Sequence, residues 1–259
     1  METMLSPSPR RRALFTGIAA ASAVLAALLA FRTLRDDPPR EGVPVVVVPG
    51  YGEDADSVSV LADRLRNGDR RVEAMTLPED GTGDIRLSAA AVRDAVGQLG
   101  AESVDFVGFS AGGVVIREYL RGLGGAESAR RVVLLGSPNH GAEVAELAAS
   151  FDPSLCVGAC AQLSPGSSFL EELNSGDETP GNADYFSVWT GLDQTVTPAE
   201  SAVLEGAINV RLQDVCPDAN TEHGDLVTDS LALGLVGEAL SGRLDEPPST
   251  DDCARLTAN

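Results

Sequence analysis

Runs of apolar residues alternate with amphipathic segments along most of the chain beyond residue 42. The first run, Val43–Val48, reads VPVVVV, and its β-branched residues are typical of a strand that is buried on both faces. Similar patterns predict further strands at Arg71–Leu77, Val104–Phe109, Arg131–Leu135, Tyr185–Thr190 and Ala207–Val215, and helices at Asp56–Asn67, Ser88–Leu99, Ala111–Arg121, Pro198–Leu204 and Leu226–Leu240. Because strands alternate with helices, we predict an α/β fold with a mostly parallel central sheet and helices on both faces.

The alternation is interrupted between residues 140 and 182. This stretch is rich in glycine, proline, serine and acidic residues, so we predict a small cap inserted into the domain rather than a second domain. The expected organisation is an N-terminal signal or anchor at residues 1–35, a linker at 36–42 and one domain at 43–259. The apolar residues of the cap are expected to line a pocket, form a lid or pack a small core of their own: Leu147, Phe151, Leu155, Leu163, Phe169 and Leu170.

The N-terminal residues are predicted to direct the protein out of the cytoplasm. Arg10, Arg11 and Arg12 precede an uncharged run, Ala13–Phe31, which is about as long as a bilayer-spanning helix. The run is longer than most cleaved signal cores and no clean cleavage site follows it, which favours an uncleaved membrane anchor. A cleaved export signal is the alternative, and in either case the domain is expected to be secreted or attached to the cell membrane.

Four cysteines are expected to form two disulfide bonds in such an oxidising compartment. Cys156 and Cys160 are close enough in sequence to close a small loop, and Cys216 and Cys253 would tie the C-terminal tail to the body. A zinc site is the alternative, but the chain has no Cys-x-x-Cys pair and only two histidines, so disulfides are favoured.

Composition narrows the range of partners. The net charge is −20, and beyond the first forty residues 36 acidic residues are set against 13 arginines, which disfavours polyanions and anionic surfaces as partners. Aromatic residues make up 4% of the chain, too few to build stacking platforms for nucleic acid. The sequence contains no lysine, which excludes a P-loop lysine, a Schiff base and a serine–lysine pair. We therefore expect a neutral small-molecule substrate, no nucleic-acid partner and, by default, a monomer.

The segment VDFVGFSAGGVV contains the candidate nucleophile, Ser110. This serine lies between a predicted strand and a predicted helix, with Gly108 and Gly112 in a Gly-x-Ser-x-Gly pattern around it. A turn of this kind is strained and needs small neighbours, and it presents the hydroxyl beyond the carboxyl end of the sheet. The helix that follows directs its N-terminal dipole at an anionic intermediate. This context favours a catalytic serine over a structural one.

A serine nucleophile needs a base and an orienting acid. In hydrolases with this strand–turn–helix nucleophile elbow, the two follow the serine along the chain in the order acid, then histidine. His223, in the loop NTEHGDL after the last predicted strand, fits this order. His140, in GSPNHGAE, could line the pocket, but a residue in this position more often structures a loop. Asp193, in GLDQTVTP, follows the penultimate predicted strand and is the acid we predict. Asp214 and Asp225 are closer to the base in sequence, but the first lies within a predicted strand and the second resembles a helix N-cap.

An oxyanion hole requires two N–H donors. We expect one from Ala111, directly after the nucleophile, and the other from Tyr51, in VVPGYG after the first strand. Tyr51 could equally be a plain wall of the substrate pocket.

Taken in order, VVPGYG, GFSAGGVV, LGSPNHG, GLDQTVTP and EHGDL resemble bacterial lipases and esterases of the α/β-hydrolase fold. The C-terminal part, NVRLQDVC followed by TDDCARLTAN, is also similar to the fungal lipase B type, in which a late disulfide fastens the tail; this supports the pairing of Cys216 with Cys253. The resemblance covers residues 43–259 apart from the cap. Many relatives have His-Gly where this chain has Pro49-Gly50, but a backbone donor does not depend on that histidine.

The resemblance implies a carboxylic ester hydrolase that acts on an ester or lipid through an acyl-enzyme. Ser110 would attack the carbonyl carbon, His223 would act as general base and Asp193 would stabilise the imidazolium. The implied mechanism requires no metal or organic cofactor. An acyltransferase or thioesterase with the same residues, or a surface binding protein without catalysis, are the alternatives.

Overall fold

Six strands form one parallel sheet in the computed structural model, which describes residues 42–68, 70–145 and 156–258. The strands are β1 Val45–Val48, β2 Val72–Ala74, β3 Val104–Phe109, β4 Ala129–Leu135, β5 Asp184–Trp189 and β6 Ile208–Arg211. They lie in the order β2-β1-β3-β4-β5-β6, and every neighbouring pair is parallel. The predicted α/β fold with a parallel central sheet is confirmed.

Helices connect the strands and cover both faces of the sheet. The helices that lie entirely within the described ranges are α1 Ser59–Arg66, α2 Ile85–Leu99, α3 Ala111–Gly122, α4 Ala159–Gln162, α5 Ser168–Leu173, α6 Leu212–Val215, α7 Ser230–Ser241 and α8 Cys253–Thr257. Short 3₁₀ turns lie at Pro78–Gly81, Gly125–Glu127, Ala199–Ala202, Gly224–Val227 and Thr250–Asp252. The helices α2 and α3 pack on one face of the sheet, and α1 and α7 pack on the other.

The burial of β1 explains why its sequence is uninterrupted by polar residues. Val45 and Val47 lie in the apolar layer with α1 and α7, and Val46 and Val48 lie in the layer with α2 and α3. Successive strand residues face opposite sides of a sheet, so a strand covered by helices on both sides is apolar throughout. All four valines are fully buried, and each such side chain contributes about 1.5–3 kcal/mol.

The last strand and several other elements are shorter than the sequence predicts. The predicted strand Ala207–Val215 ends at Arg211 and continues as α6. Leu212 and Val215 are both buried in the same apolar layer, which a helical turn achieves but a strand does not, because strand residues three apart face opposite sides. Other predictions are also too long, among them the strand Arg71–Leu77, which is observed as β2, and the helix Asp56–Asn67, which is observed as α1. Of the predicted helix Pro198–Leu204, only the 3₁₀ turn Ala199–Ala202 is helical.

The closing helix begins later than predicted. Asp229, not Asp225, is the N-cap of α7, and its carboxylate accepts the N–H of Ala232 at 2.9 Å. Asp225 lies in the preceding 3₁₀ turn, where it accepts the N–H of Glu222 at 3.3 Å. The apolar pattern extends back to Leu226 because that side chain is buried, although it belongs to the turn.

The cap at residues 140–182 remains a prediction, and its apolar residues take different places. Phe169 and Leu170 on α5 are buried in the apolar layer with α2 and α3, so they belong to the main core. Leu163 also contacts this layer and lines the cavity described below. The remaining residues lie outside the described part of the chain: Leu147, Phe151 and Leu155.

The predicted N-terminal anchor or signal, residues 1–35, lies outside the described residues, as does the linker as far as Glu41. Within the described ranges, no helix combines the length and the apolar character that crossing a bilayer requires.

Both predicted disulfides are present. Cys156 and Cys160 close a loop with a sequence separation of 4, and Cys216 and Cys253 are joined across a separation of 37. The second bond links α6 to the start of α8 and so fastens the C-terminal tail to the body.

The two bonds should differ in their contribution to stability, because a longer loop loses more chain entropy when it is closed in the unfolded state. Replacing Cys216 and Cys253 together by serine should lower the free energy of unfolding by about 4 kcal/mol, against about 2 kcal/mol for Cys156 and Cys160. Denaturant titration of the wild type and the two double variants measures the difference. Wild-type protein unfolded without reductant should contain no titratable thiol, and four thiols would contradict the pairing.

Candidate active site

Ser110 occupies the turn between β3 and α3. Its φ of 52° and ψ of −127° are a strained combination for a residue that carries a side chain. The Ser110 N–H donates to the carbonyl of Leu135 at 2.8 Å, and its own carbonyl accepts the N–H of Gly113 at 3.1 Å. These bonds hold the serine at the carboxyl edge of the sheet, where its side chain is partly exposed.

Close packing explains the glycines around the serine. A Cβ on Gly112 would collide with the carbonyl oxygens of Val48 and Pro49, and a Cβ on Gly108 would collide with the backbone of Gly113. No side chain fits at either position unless the backbone moves. The same contacts bring the loop after β1 directly against the serine turn.

His223 lies beside this hydroxyl. Its Nε2 is 3.0 Å from Ser110 Oγ, and its ring packs at 5.1 Å, centroid to centroid, on the ring of Phe109 at the end of β3. A Cβ on Gly136 would lie 3.3 Å from the imidazole, so the glycine after β4 leaves room for the ring. The histidine is 9% exposed. The ring is therefore enclosed, with one edge directed at the serine.

Asp193 lies on the other side of the imidazole, in the loop after β5. Its Oδ2 is 2.6 Å from His223 Nδ1, and its Oδ1 accepts the N–H groups of Thr195 at 2.9 Å and Val196 at 2.7 Å. An ionised carboxylate only accepts hydrogen bonds, so Nδ1 of the histidine carries the proton. Nε2 is then left to accept the hydroxyl of Ser110.

Two threonines connect the loop of Asp193 with the loop of His223, and neither was predicted from the sequence. The hydroxyl of Thr190, at the end of β5, donates to the carbonyl of Thr221 at 2.7 Å, and the Thr221 hydroxyl donates to Asp229 Oδ2 at 2.9 Å. Both threonines are buried. The bond between them joins the loop of Asp193 to the loop of His223. The only signal in the sequence is that each threonine lies two or three residues before a candidate site residue.

The rival acids lie elsewhere. Asp214 is exposed on α6 rather than within a strand, and Asp225 is exposed in the 3₁₀ turn. In the described ranges neither carboxylate is hydrogen-bonded to the imidazole, which contacts Asp193. Both reasons for discounting these two acids were wrong, because Asp214 lies in α6 rather than in a strand and Asp229 is the N-cap of α7. The assignment of Asp193 as the acid remains a prediction.

His140, predicted as a possible substrate-binding residue, contacts other loops. Its Nε2 is 3.0 Å from Glu178 Oε1, and its Nδ1 is 3.3 Å from the carbonyl oxygen of Ser201. Glu178 also accepts the N–H of Glu205 at 2.9 Å. The histidine thus connects three loops, and its role toward a substrate remains a prediction.

A cavity of about 350 Å³ opens beside the serine. Its described lining is mostly apolar or small and carries no charged side chain. The lining residues are Tyr51, Ser110, Ala111, Pro138, Ala142, Val144, Ala145, Cys160, Leu163, Thr195 and Val196. Both residues predicted to supply oxyanion donors, Tyr51 and Ala111, are in this lining, on either side of the serine turn. Tyr51 is 44% exposed and so forms part of the cavity's rim.

Residues 85–232 match the model of a protein family described as "Lipase (class 2)", and the match includes Ser110, Asp193 and His223. It covers more than half of the chain. The chain belongs to the class 2 lipase family. Membership confirms the resemblance to lipases and esterases, and the enzyme class that it supports is a carboxylic ester hydrolase.

Solved structures share the fold of this class 2 lipase. Aspergillus fumigatus lipase B is 19% identical with a TM-score of 0.66, over 85% of this chain and 61% of its own. Bacillus licheniformis lipase BlEst2 in mature form is 18% identical with a TM-score of 0.60, over 79% of this chain and 94% of its own. An extracellular α/β-hydrolase from a Paenibacillus species is 13% identical with a TM-score of 0.52, over 76% of this chain and 99% of its own.

At these identities the likeness establishes the α/β-hydrolase fold alone. The chain spans 61% of the length of the fungal lipase. A comparison with curated proteins gives no match.

The packing of the serine turn predicts opposite effects of alanine at two helical glycines. Gly112→Ala should lower the free energy of unfolding by about 1–3 kcal/mol, because the added methyl collides with two carbonyl oxygens. Gly97→Ala, at an exposed position in α2 with nothing within 4 Å of the added carbon, should raise it by about 0.5–1 kcal/mol. Denaturant unfolding tests both, and equal effects would contradict the packing argument.

Proposed function

We propose that this class 2 lipase hydrolyses carboxylic esters with Ser110 as nucleophile, His223 as general base and Asp193 as the orienting acid. The observation that carries the proposal is the continuous pair of hydrogen bonds, 3.0 Å from serine to imidazole and 2.6 Å from imidazole to carboxylate. A serine hydroxyl is a weak nucleophile by itself, and an imidazole within hydrogen-bond reach activates it. A third group that fixes the ring completes the arrangement.

The acylation half-reaction follows from this geometry. As Ser110 Oγ bonds to the ester carbon, its proton passes to His223 Nε2 and the carbonyl oxygen becomes an oxyanion. The carboxylate of Asp193 stabilises the imidazolium that forms. When the carbon–alkoxy bond breaks, the imidazolium gives its proton to the leaving alcohol, and an ester of Ser110 remains.

Deacylation repeats these steps with water. His223 takes a proton from the attacking water, a second oxyanion forms, and the proton then returns to Ser110 Oγ as the carboxylic acid leaves. The bonds formed and broken balance without a redox partner.

The proposed oxyanion donors are the backbone N–H groups of Tyr51 and Ala111. Their support is that both residues line the cavity next to Ser110, and that Ala111 begins α3, whose first N–H groups have no partner within the helix. Removal of one such donor in a serine hydrolase costs about 10²–10³-fold in kcat.

The cavity supports a neutral ester with an apolar acyl group as substrate. Its described lining lacks a charge that would bind a carboxylate, phosphate or ammonium group, and a mostly apolar wall binds hydrocarbon by excluding water. A small-molecule ester or lipid is therefore the proposed substrate class, as membership of a lipase family also suggests.

We further propose that the enzyme acts outside the cytoplasm, with residues 1–35 as the export signal or anchor. The two disulfides support this, because such bonds persist in oxidising compartments. The fold shared with an extracellular hydrolase from Paenibacillus agrees with it.

Each proposed residue should be required for turnover. Ser110→Ala and His223→Ala should each lower kcat for p-nitrophenyl butyrate by at least about 10⁴-fold, and Asp193→Asn by about 10⁴-fold. The effects are large because the three side chains act together in the same proton transfers. Asp214→Asn is the matched control: it neutralises an exposed aspartate on α6 and should leave kcat unchanged. Steady-state kinetics on a series of acyl chain lengths also separate an esterase, which prefers short chains, from a lipase.

An inactive wild type, or a Ser110→Ala variant with wild-type turnover, would overturn the proposal. A loss of activity in Asp214→Asn as large as that in Asp193→Asn would overturn the assignment of the acid.

A further inference from the structure

The loop that carries Tyr51 is held on both sides of that residue. The N–H of Gly50 donates to Glu53 Oε2 at 3.0 Å, and the N–H of Gly52 donates to the carbonyl of Asp80 at 2.8 Å. The hydroxyl of Ser57 lies 3.2 Å from the same oxygen of Glu53 and 2.7 Å from the carbonyl oxygen of Asp54, which is its closer acceptor. The peptide groups that flank the Gly50–Tyr51 peptide are therefore both fixed by hydrogen bonds.

The support from Asp80 comes from a strained turn. Glu79 has φ 53° and ψ 33°, Asp80 has φ 49° and ψ 35°, and Gly81 has φ 73°. Left-handed conformations cost residues other than glycine about 1–2 kcal/mol each. Strain of this size persists where surrounding structure enforces it, and it concentrates at functional sites.

This turn packs directly on the loop of Tyr51. A Cβ on Gly81 would lie 3.3 Å from the carbonyl oxygen of Gly50. On the other side of the turn, the N–H and the hydroxyl of Thr82 both donate to the carbonyl of Glu79, at 3.0 and 2.7 Å. The strained turn thus forms a fixed support beneath the loop.

Glu53 lies close to the reacting serine without pointing into the cavity. A Cβ placed on Gly50 would be 3.0 Å from Glu53 Oε2 and 3.2 Å from Ser110 Cβ, so only the glycine separates the two side chains. Glu53 is partly buried and is not among the described residues that line the cavity. Its carboxylate is therefore placed to orient the loop and not to contact a substrate.

We propose that Glu53 is a positioning residue for the oxyanion hole: its carboxylate, together with the Asp80 carbonyl, fixes the peptide whose N–H belongs to Tyr51. The inference rests on the proposed ester hydrolysis. An oxyanion donor stabilises the transition state only if it is oriented before the charge develops. A hydrogen bond to a carboxylate is about twice as strong as one between neutral groups, which suits a loop that has to remain fixed.

The negative charge of Glu53 would by itself destabilise a nearby oxyanion. The effect of its charge on catalysis can therefore be tested separately from its effect on the orientation of the loop. Glu53→Gln keeps an oxygen that accepts the N–H of Gly50 but removes the charge. Glu53→Met keeps the length of the side chain but removes the acceptor. If the position acts through geometry, glutamine preserves the hydrolysis and methionine does not.

We expect Glu53→Met and Glu53→Ala to lower kcat for p-nitrophenyl butyrate about 10- to 100-fold, less than the loss of a whole donor, with KM changed by less than about 3-fold. Glu53→Gln should retain kcat within about 3-fold of the wild type. Asp56→Ala, which removes an exposed carboxylate from the same loop, is the matched control and should have wild-type kinetics. Thermal unfolding of each variant identifies those that are folded.

The outcomes separate this inference from the function on which it rests. An inactive wild type ends the proposed function. If the wild type is active, three results would contradict the inference about Glu53 and leave the proposed function intact. These are a wild-type kcat in folded Glu53→Met, a loss of activity in Glu53→Met that appears in KM rather than kcat, and a Glu53→Gln variant as impaired as Glu53→Met. If Glu53→Ala does not fold, the comparison of Glu53→Met with Glu53→Gln still tests the inference.

Discussion

The site depends on how closely the loop after β1 packs against the turn at Ser110. Gly112 lies against the carbonyl oxygens of Val48 and Pro49 with no room for a side chain. The backbone at Ser110 is strained, and this contact places the loop of Tyr51 beside the serine hydroxyl. Because β1 and β3 are parallel neighbours, both segments leave the sheet at its carboxyl edge, where open α/β sheets bind their ligands.

Much of this arrangement could be predicted from the sequence, because the residues concerned are constrained locally. The run VVVV is apolar throughout only if both faces of β1 are covered. Glycines on both sides of Ser110 indicate a turn that excludes side chains, and chain order after it selects Asp193 and His223 from few candidates. With two histidines and no lysine in 259 residues, few alternative mechanisms were available.

The features that could not be predicted depend on tertiary contacts. Leu212 and Val215 fit either a strand or a helix by composition, and only the position of the apolar layer decides between them. Asp225 and Asp229 are both suitable N-caps, and the burial of Leu226 in a 3₁₀ turn moves the start of α7 to the second. The sequence PEDG at Pro78–Gly81 indicates a turn, but it does not predict that Glu79 and Asp80 adopt left-handed conformations.

The most direct test of the account is covalent labelling with a p-nitrophenyl alkylphosphonate, which reacts with a serine only when its oxygen is activated as a nucleophile. The account predicts that one p-nitrophenolate leaves per chain, that a phosphorus–oxygen bond forms at Ser110 Oγ, and that mass spectrometry of the digested protein finds the adduct on that residue. Labelling should be lost in His223→Ala. An unlabelled wild type, or an adduct on another residue while Ser110 remains free, would contradict the central claim.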